Sequence, residues 1–203
     1  MAFACALLIS QRAGDPVPPA GKMLVSYEFP SSPQGWFIAG DTSDVPATFE
    51  PTGGNPGGYI SHVDEAVGET WYFRAPTGVL AQLAAAEHGT LRFSLKQSHT
   101  DAGFPDDDVV IVGASGRLSY RFDRAPGTDW TNFSVQLSAS ANWRWNWNQA
   151  ATQEQMHQVL AAPTRLEIRG EFRTGDDTGG LDNFQLIARY LEAADWPHWL
   201  AAR

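Results

Sequence analysis

The sequence predicts an all-β fold, an antiparallel sandwich of two sheets with one or two short helices. In the run from 91 to 95, leucine and phenylalanine alternate with arginine and serine, which gives a strand one buried face and one wet face. Turn-forming residues separate such runs, and the chain contains 19 glycines and 13 prolines. Short strands spaced by turns, each with one wet face, are typical of antiparallel sandwiches.

Length and composition indicate one domain with a sizeable core. The 203 residues include 43% hydrophobic and 12% aromatic residues, and sandwiches often reach this length undivided. We divide the chain into an apolar, proline-rich segment at 1–22, a sandwich at 23–190 and a tail at 191–203. The first segment is either a truncated signal peptide or an unstructured start. No run reaches the roughly 18 apolar residues of a transmembrane helix, and the single cysteine, Cys5, excludes an intramolecular disulfide.

The strands can be placed in order along the chain. A glycine-rich turn at 53–58 joins two β-type runs, and no helix follows it, so a phosphate-binding loop is excluded. The continuous apolar run at 109–112 predicts a strand that is buried on both faces. Alternating runs predict the remaining strands at 91–95, 118–122, 133–137, 166–172 and 184–188.

Two segments predict short helices. Thr152 and Gln155 have the spacing of a capping box, in which each side chain bonds the backbone of the other residue. Pro163 ends the helix that follows. Residues 79–88 predict a second helix, which Gly89 stops.

Seven segments of the chain carry a recognisable pattern by their order. They are GGNPGGYISHVDEAVGETWYFRAP, GTLRFSLKQS, DDVVIVG, PGTDWTNFSVQL, ATQEQMHQVLA, TRLEIRGEF and DTGGLDNF. In this order they resemble the laminin IV type A domain, also called the laminin B domain, from about residue 27 to 186, and the chain is similar to the single-domain type that bacteria export. The resemblance implies a jelly-roll sandwich like the galactose-binding and carbohydrate-binding modules, located outside the cytoplasm, with no catalytic residues.

Charge narrows the range of partners. The net charge is −9 and no basic stripe offsets it, which excludes nucleic acid as a partner. Acidic residues suit a divalent cation, and we expect a structural calcium site at the ends of the first and last strands, held by Glu28, Asp41, Asn55 and Asp182. The alternative is that Asp182 accepts hydrogen bonds from the turn amides of 178–180 and that Glu28 is solvated.

Residues 142–148 suggest a ligand-binding strand. Trp143, Trp145 and Trp147 alternate with Arg144 and Asn146, which would set three indoles in a row on one strand face. Polar flanks favour exposure of this row, and exposed indoles with amides and a guanidinium suit sugar rings. The competing interpretation is that the indoles fill the core, since each has a large hydrophobic area.

An enzyme is not predicted. Acidic clusters at 106–108 and 176–177 lie in turns, and adjacent strand residues point to opposite faces, so neither cluster forms a glycosidase pair. We assign these clusters to turn formation and solubility. The sequence favours a secreted, monomeric, non-catalytic binding or adhesion module for a glycan or for a matrix or cell-surface protein. A purely structural domain is the main alternative, and a jelly-roll glycan-cleaving enzyme is a more distant one.

Overall fold

A computed structural model describes residues 21–40, 44–64, 68 and 70–190. The described chain forms fourteen strands, numbered β1 to β14 in chain order, which make two antiparallel sheets. This arrangement confirms the predicted sandwich. Residues 1–20 of the predicted segment 1–22 lie outside the described residues, as do the predicted tail at 191–203, Cys5 and Asp41. Gly21 and Lys22 belong to the first strand.

The first sheet has six strands in the order β10-β7-β14-β5-β4, with β1 added beside β14. The long strand β14 pairs with β7 on one side, and on the other side it pairs first with β5 and then with β1. The strands of this sheet are β1 (Gly21–Tyr27), β4 (Thr48–Gly54), β5 (Gly57–Val63), β7 (Thr90–Gln97), β10 (Thr131–Gln136) and β14 (Thr178–Arg189).

The second sheet has eight strands in the order β12-β11-β9-β8-β13-β6-β2-β3. The predicted strand at 109–112 is its β8, and Val109, Val110 and Ile111 are all buried. The strands are β2 (Phe37–Ala39), β3 (Val45–Pro46), β6 (Tyr72–Arg74), β8 (Val109–Gly113), β9 (Gly116–Tyr120), β11 (Arg144–Trp145), β12 (Gln149–Ala150) and β13 (Pro163–Arg169).

The core lies between the two sheets and is rich in aromatic side chains. Leu91, Phe93 and Leu95 of β7 point into it, as their alternation predicts. The Trp71 ring lies directly against the backbone of Gly170, and a Cβ at this position would overlap the indole ring. The close approach of backbone and ring explains why this position has no side chain.

The helices are short and lie at the edges of the sandwich. Helix α2 (Gln153–Ala161) begins with the predicted capping box, in which Thr152 Oγ1 accepts from the Gln155 amide at 3.2 Å and Gln155 Oε1 accepts from the Thr152 amide at 2.9 Å. The predicted helix at 79–88 is instead a short α1 (Thr77–Leu80) followed by a 3-10 turn (Ala84–Ala86). Within the described residues, none of the helices has the length and apolar content to cross a membrane.

Candidate functional site

The structure places the first of the three tryptophans of 143–147 in the core. Trp143 is 1% exposed, and its indole Nε1 donates to the Gln136 carbonyl at 2.8 Å. Its ring also packs against Tyr120 at 5.4 Å between centroids. Trp143 directly precedes β11, and Trp145, two residues on, pairs with the core residue Leu118 of β9, so this side of the chain is turned toward the sandwich interior. The predicted exposure of Trp143 is therefore wrong, and the competing core interpretation holds for this residue.

The other two tryptophans do not continue a row. Trp145 is half-buried and covers Gly116, where a Cβ would meet its ring. The strand stops there, because Asn146 and Trp147 have φ values of 41° and 85° and form the turn to β12. Trp147 is 65% exposed, and Arg144 is half-buried on the strand. A binding role for Arg144, Trp145, Asn146 and Trp147 stays a prediction.

The proposed calcium ligands form a hydrogen-bonded clamp. Asp182 is fully buried, and its two oxygens accept from the amides of Asn55 at 2.6 Å and Asn183 at 2.7 Å. The Asn183 side chain donates in turn to the Asn55 carbonyl. Burial raises the pKa of the Asp182 carboxyl, although the two amides favour its charged form. Glu28 is exposed and follows the end of β1.

In this arrangement the contacts of Asp182 are hydrogen bonds. Calcium takes six to eight oxygens, whereas the main chain of Asn55 presents an N–H to Asp182. The described residues contain no group of three His, Cys, Asp or Glu side chains that could hold a metal. The hydrogen-bonding alternative accounts for Asp182, with Asn55 and Asn183 as partners rather than the turn amides of 178–180. Calcium binding stays a prediction of the sequence alone.

A β-bulge explains why Asp182 does not share the inward direction of Phe184. The pairing of β14 with β7 shifts register between Asp182 and Gln185, where Asn183 has a φ of 51°. Asp182 pairs with Ser94, whose neighbours on β7 point into the core. Asp182 therefore faces the outer side of the six-stranded sheet, beneath the turn between β4 and β5.

The acidic cluster at 106–108 is not a solubilising turn. Asp107 and Asp108 are 5% and 4% exposed. Asp108 accepts from the Phe122 amide at 2.7 Å and from Arg169 at 3.3 Å. Burial raises the pKa of Asp108, and the Phe122 amide and Arg169 oppose that shift. Both oxygens are occupied by structural partners, which gives this carboxyl the role of a buried ion-pair member.

Sequence reasoning missed a cluster on the outer face of the six-stranded sheet. We call Tyr59, Lys96 and Trp130 the aromatic–lysine cluster. Lys96 Nζ lies 3.8 Å from the Tyr59 ring centroid and 4.6 Å from that of Trp130, within cation–π range. The two rings meet edge to face at 5.3 Å. Lys96 Nζ and Trp130 Nε1 both donate to the Gly53 carbonyl, at 3.1 and 3.0 Å.

The same face continues as a polar strip to a groove. Arg92 lies across from Ser134 on β10 and from Gln185 on β14, and all three are at least partly exposed. Beyond them a groove of about 340 Å³ opens between the ends of β7, β10 and β14. From Thr90 to Lys96 the outer-face residues of β7 extend over about 20 Å at the usual rise of a strand, and the turn between β4 and β5 covers Ser94 between Arg92 and Lys96. The residues that line the groove include Thr90, Gln136, Ser138, Ile187 and Tyr190.

Comparison with known proteins fits this architecture. The family model for Laminin B (Domain IV) matches residues 72–194, more than half of the chain. The chain belongs to the laminin B family. This laminin B domain is similar in fold to the L4b domain of human laminin alpha-2, with a TM-score of 0.64 and 7% identity over 82% of this chain and 98% of that one.

The laminin B domain is also similar in fold to bacterial modules. A family 11 carbohydrate-binding module of the cellulosomal cellulase Lic26A-Cel5E of Clostridium thermocellum matches it with a TM-score of 0.50 and 10% identity, over 87% of this chain and 99% of that one. A solution structure of CtCBM11 matches with a TM-score of 0.50 and 13% identity, over 89% of this chain and all of that one. No curated protein sequence matches the chain.

Laminin B domains are a non-catalytic type of module, and the buried carboxylates Asp107, Asp108 and Asp182 have structural partners.

Proposed function

We propose that this laminin B domain is an extracellular, non-catalytic module that binds a glycan chain on the outer face of its six-stranded sheet. The observation that carries the proposal is the aromatic–lysine cluster, in which two partly exposed rings flank an ammonium group on an otherwise polar sheet face. Apolar rings with a few well-placed polar groups are what a ligand site needs for affinity and orientation. A sugar offers the matching surface, since its C–H faces pack on rings and its hydroxyls take hydrogen bonds.

The strip beside the cluster supplies the polar groups for an extended ligand. Arg92, Ser134 and Gln185 present a guanidinium, a hydroxyl and an amide toward solvent at successive strands. The groove beyond them adds Gln136 and the exposed ring of Tyr190. Strand pairing fixes these positions, so the site is preorganised and little ordering entropy opposes binding.

The comparisons support this proposal in two ways. The family 11 module is by its name a carbohydrate-binding module, and its fold resembles this one. Membership of the laminin B family supports a location outside the cell. We infer secretion or cell-surface display from that membership.

A structural domain without a small ligand is the competing function. The Gly53 carbonyl accepts from both Lys96 and Trp130, so the cluster also clamps the tip of the β4–β5 hairpin onto the sheet. If clamping were its sole role, removing Trp130 would lower stability without changing any binding.

Affinity electrophoresis and calorimetry with neutral polysaccharides test the proposal. Mixed-linkage β-glucan, xylan and galactan serve as probes, and the length of the recovered polysaccharide shows whether the protein cleaves it. We expect binding to at least one probe, and a loss of about tenfold or more in Trp130→Ala, which corresponds to about 1.4 kcal/mol. Phe37→Ala is the matched control, because it removes an exposed aromatic side chain from the other sheet. Equal affinities in the two variants, or no retention on any probe, would refute glycan binding at this face.

A further inference from the structure

The outer face of the eight-stranded sheet carries three arginines around one buried carboxylate. We call Arg117, Arg121 and Arg144 the arginine cluster. Arg117 Nη1 donates to Asp107 Oδ2 at 2.8 Å, and guanidinium nitrogens of Arg121 and Arg144 lie 3.7 and 3.9 Å from Oδ1. Arg117 lies on β9, Arg121 directly follows the end of that strand, and Arg144 belongs to the neighbouring strand β11. Sheet geometry therefore brings the three side chains together.

The cluster has further charged neighbours. Asp106 accepts from the Asp107 amide at 2.7 Å and from the Thr70 hydroxyl. Asp108 interacts with Arg121 and pairs with Arg169 at 3.3 Å. These carboxylates compensate much of the positive charge of the cluster, so an anion would be held by direct hydrogen bonds to unused guanidinium N–H groups.

Two of the arginines have donors to spare. The side chains of Arg121 and Arg144 are 35% and 39% exposed, against 17% for Arg117 and 7% for Asp107. Arg121 Nε donates to the Asp106 carbonyl at 2.7 Å, which leaves its terminal nitrogens free of short hydrogen bonds within the described residues. Each guanidinium carries five N–H donors in a planar fork that fits a carboxylate or a sulfate with two parallel hydrogen bonds.

An exposed indole lies beside the cluster. The Arg117 guanidinium stacks on the Trp147 ring at 4.3 Å, and Trp147 is 65% exposed. The turn that holds this ring is fixed by Asn146, which accepts from the Arg117 amide at 3.0 Å and donates to the Arg117 carbonyl at 2.9 Å. Arg117 thus connects the two parts, since it stacks on the indole and also bonds Asp107, around which Arg121 and Arg144 lie.

We propose that Trp147, Arg121 and Arg144 form a binding site for an acidic sugar. The ring of the sugar packs on Trp147, and its carboxylate or sulfate ester takes the free donors of Arg121 and Arg144. Asp107 and Arg117 are positioning residues, since Asp107 holds the three guanidinium groups and Arg117 supports the indole. The site lies on the eight-stranded sheet, whereas the aromatic–lysine cluster lies on the six-stranded sheet. The evidence for one site therefore does not depend on the other.

Binding to acidic and neutral polysaccharides of matched length tests this site. Heparin carries sulfate and carboxylate groups, dextran sulfate carries sulfate alone, hyaluronan carries carboxylate alone, and dextran is neutral. We expect affinity for at least one acidic probe and none for dextran, with a loss of about tenfold in Arg144→Ala or Arg121→Ala. The choice among the three acidic probes identifies the anionic group.

Two substitutions sharpen the test. Arg144→Lys keeps the charge but removes the planar fork, and we expect it to bind less tightly than the parent protein. Trp147→Ala should weaken binding without a large change in the melting temperature, which shows that the fold is intact. The matched control is Arg165→Ala, which removes an exposed arginine of the same sheet that pairs with Glu167 at 3.7 Å.

Three results would overturn the acidic-sugar site. Equal losses in Arg165→Ala and Arg144→Ala would reveal a general charge effect, and unchanged binding in Trp147→Ala would remove the indole from the site. Equally tight binding of single-stranded DNA would reveal an unspecific polyanion surface. Trp130→Ala should retain full affinity for the acidic probe. The acidic-sugar site can therefore be tested even if the neutral-glycan site proves wrong.

Discussion

Replacing Trp143 measures how far the core extends beneath the β11–β12 hairpin. Burial of an indole removes about 200 Å² from water, which is worth about 5 kcal/mol as an upper limit at about 25 cal/mol per Å². Trp143 is 1% exposed, so nearly all of this area is removed from solvent in the native state. Substitutions of buried tryptophan by alanine typically cost about 3–5 kcal/mol, and we expect Trp143→Ala to fall in that range.

Trp143→Phe divides this cost into two parts. Phenylalanine keeps most of the buried ring but leaves the Gln136 carbonyl without its 2.8 Å indole donor. A hydrogen bond of this kind contributes about 0.5–1.5 kcal/mol net, so we expect this variant to be intermediate. Trp147→Ala is the control, because this residue is 65% exposed and stacks only on Arg117, a contact worth about 0.5–1 kcal/mol.

Urea unfolding followed by far-UV circular dichroism supplies the measurement, since that signal does not depend on the tryptophan that is replaced. A destabilisation of about 3–5 kcal/mol lowers the melting temperature of a domain of this size by roughly 6–20 °C. If Trp143→Ala proved no more destabilising than Trp147→Ala, the indole of Trp143 would not be a core residue and the reasoning would be refuted.

Three further predictions concern stability. Glu87 raises the pKa of the exposed His157 through a 2.8 Å contact, so this pair stabilises the fold below the ordinary histidine pKa of about 6.5. The melting temperature should fall as the pH rises through the raised pKa, less so in His157→Gln, and identical curves would contradict the pairing. Gly170→Ala should destabilise by about 1–3 kcal/mol, because its methyl group meets the Trp71 ring, whereas Gly127→Ala has ordinary clearance and should be neutral in the same melting assay. If calcium is bound as the sequence predicts, EGTA should lower the melting temperature by several degrees, and an unchanged melting temperature would refute the calcium site.

Local patterns in the sequence identified most of the elements correctly. The alternation from 91 to 95 and the capping box at Thr152 depend on neighbours within a few residues, and both are present in the structure. The alternation of tryptophans at 143–147 was misleading for a related reason. Alternation assigns residues to two faces of a strand, but only the pairing of β11 with β9 determines which face is buried.

The binding faces depend on pairings that no local pattern contains. Tyr59, Lys96 and Trp130 come from three separate regions of the chain and meet because β5, β14, β7 and β10 lie in that order. The direction of Asp182 depends on a one-residue bulge at Asn183, for which asparagine in a left-handed conformation is at most a weak signal. The sequence could indicate that Lys96 is on a wet face, but not which rings surround it.

The pairing of β1 with β14 has a consequence for how the protein is made. Gly21 pairs with Arg189 and Tyr27 pairs with Phe184. Strand β1 can therefore pair only after the segment that contains β14 has been synthesised. Pairings of such long sequence separation form slowly, because loop closure precedes any gain in contact energy. Until then the carboxyl half of β14 has no neighbour on one side, and apolar residues such as Ile187 remain open to other chains. We expect the pairing of β1 with β14, which joins segments about 160 residues apart, to be a slow step in the folding of this sheet.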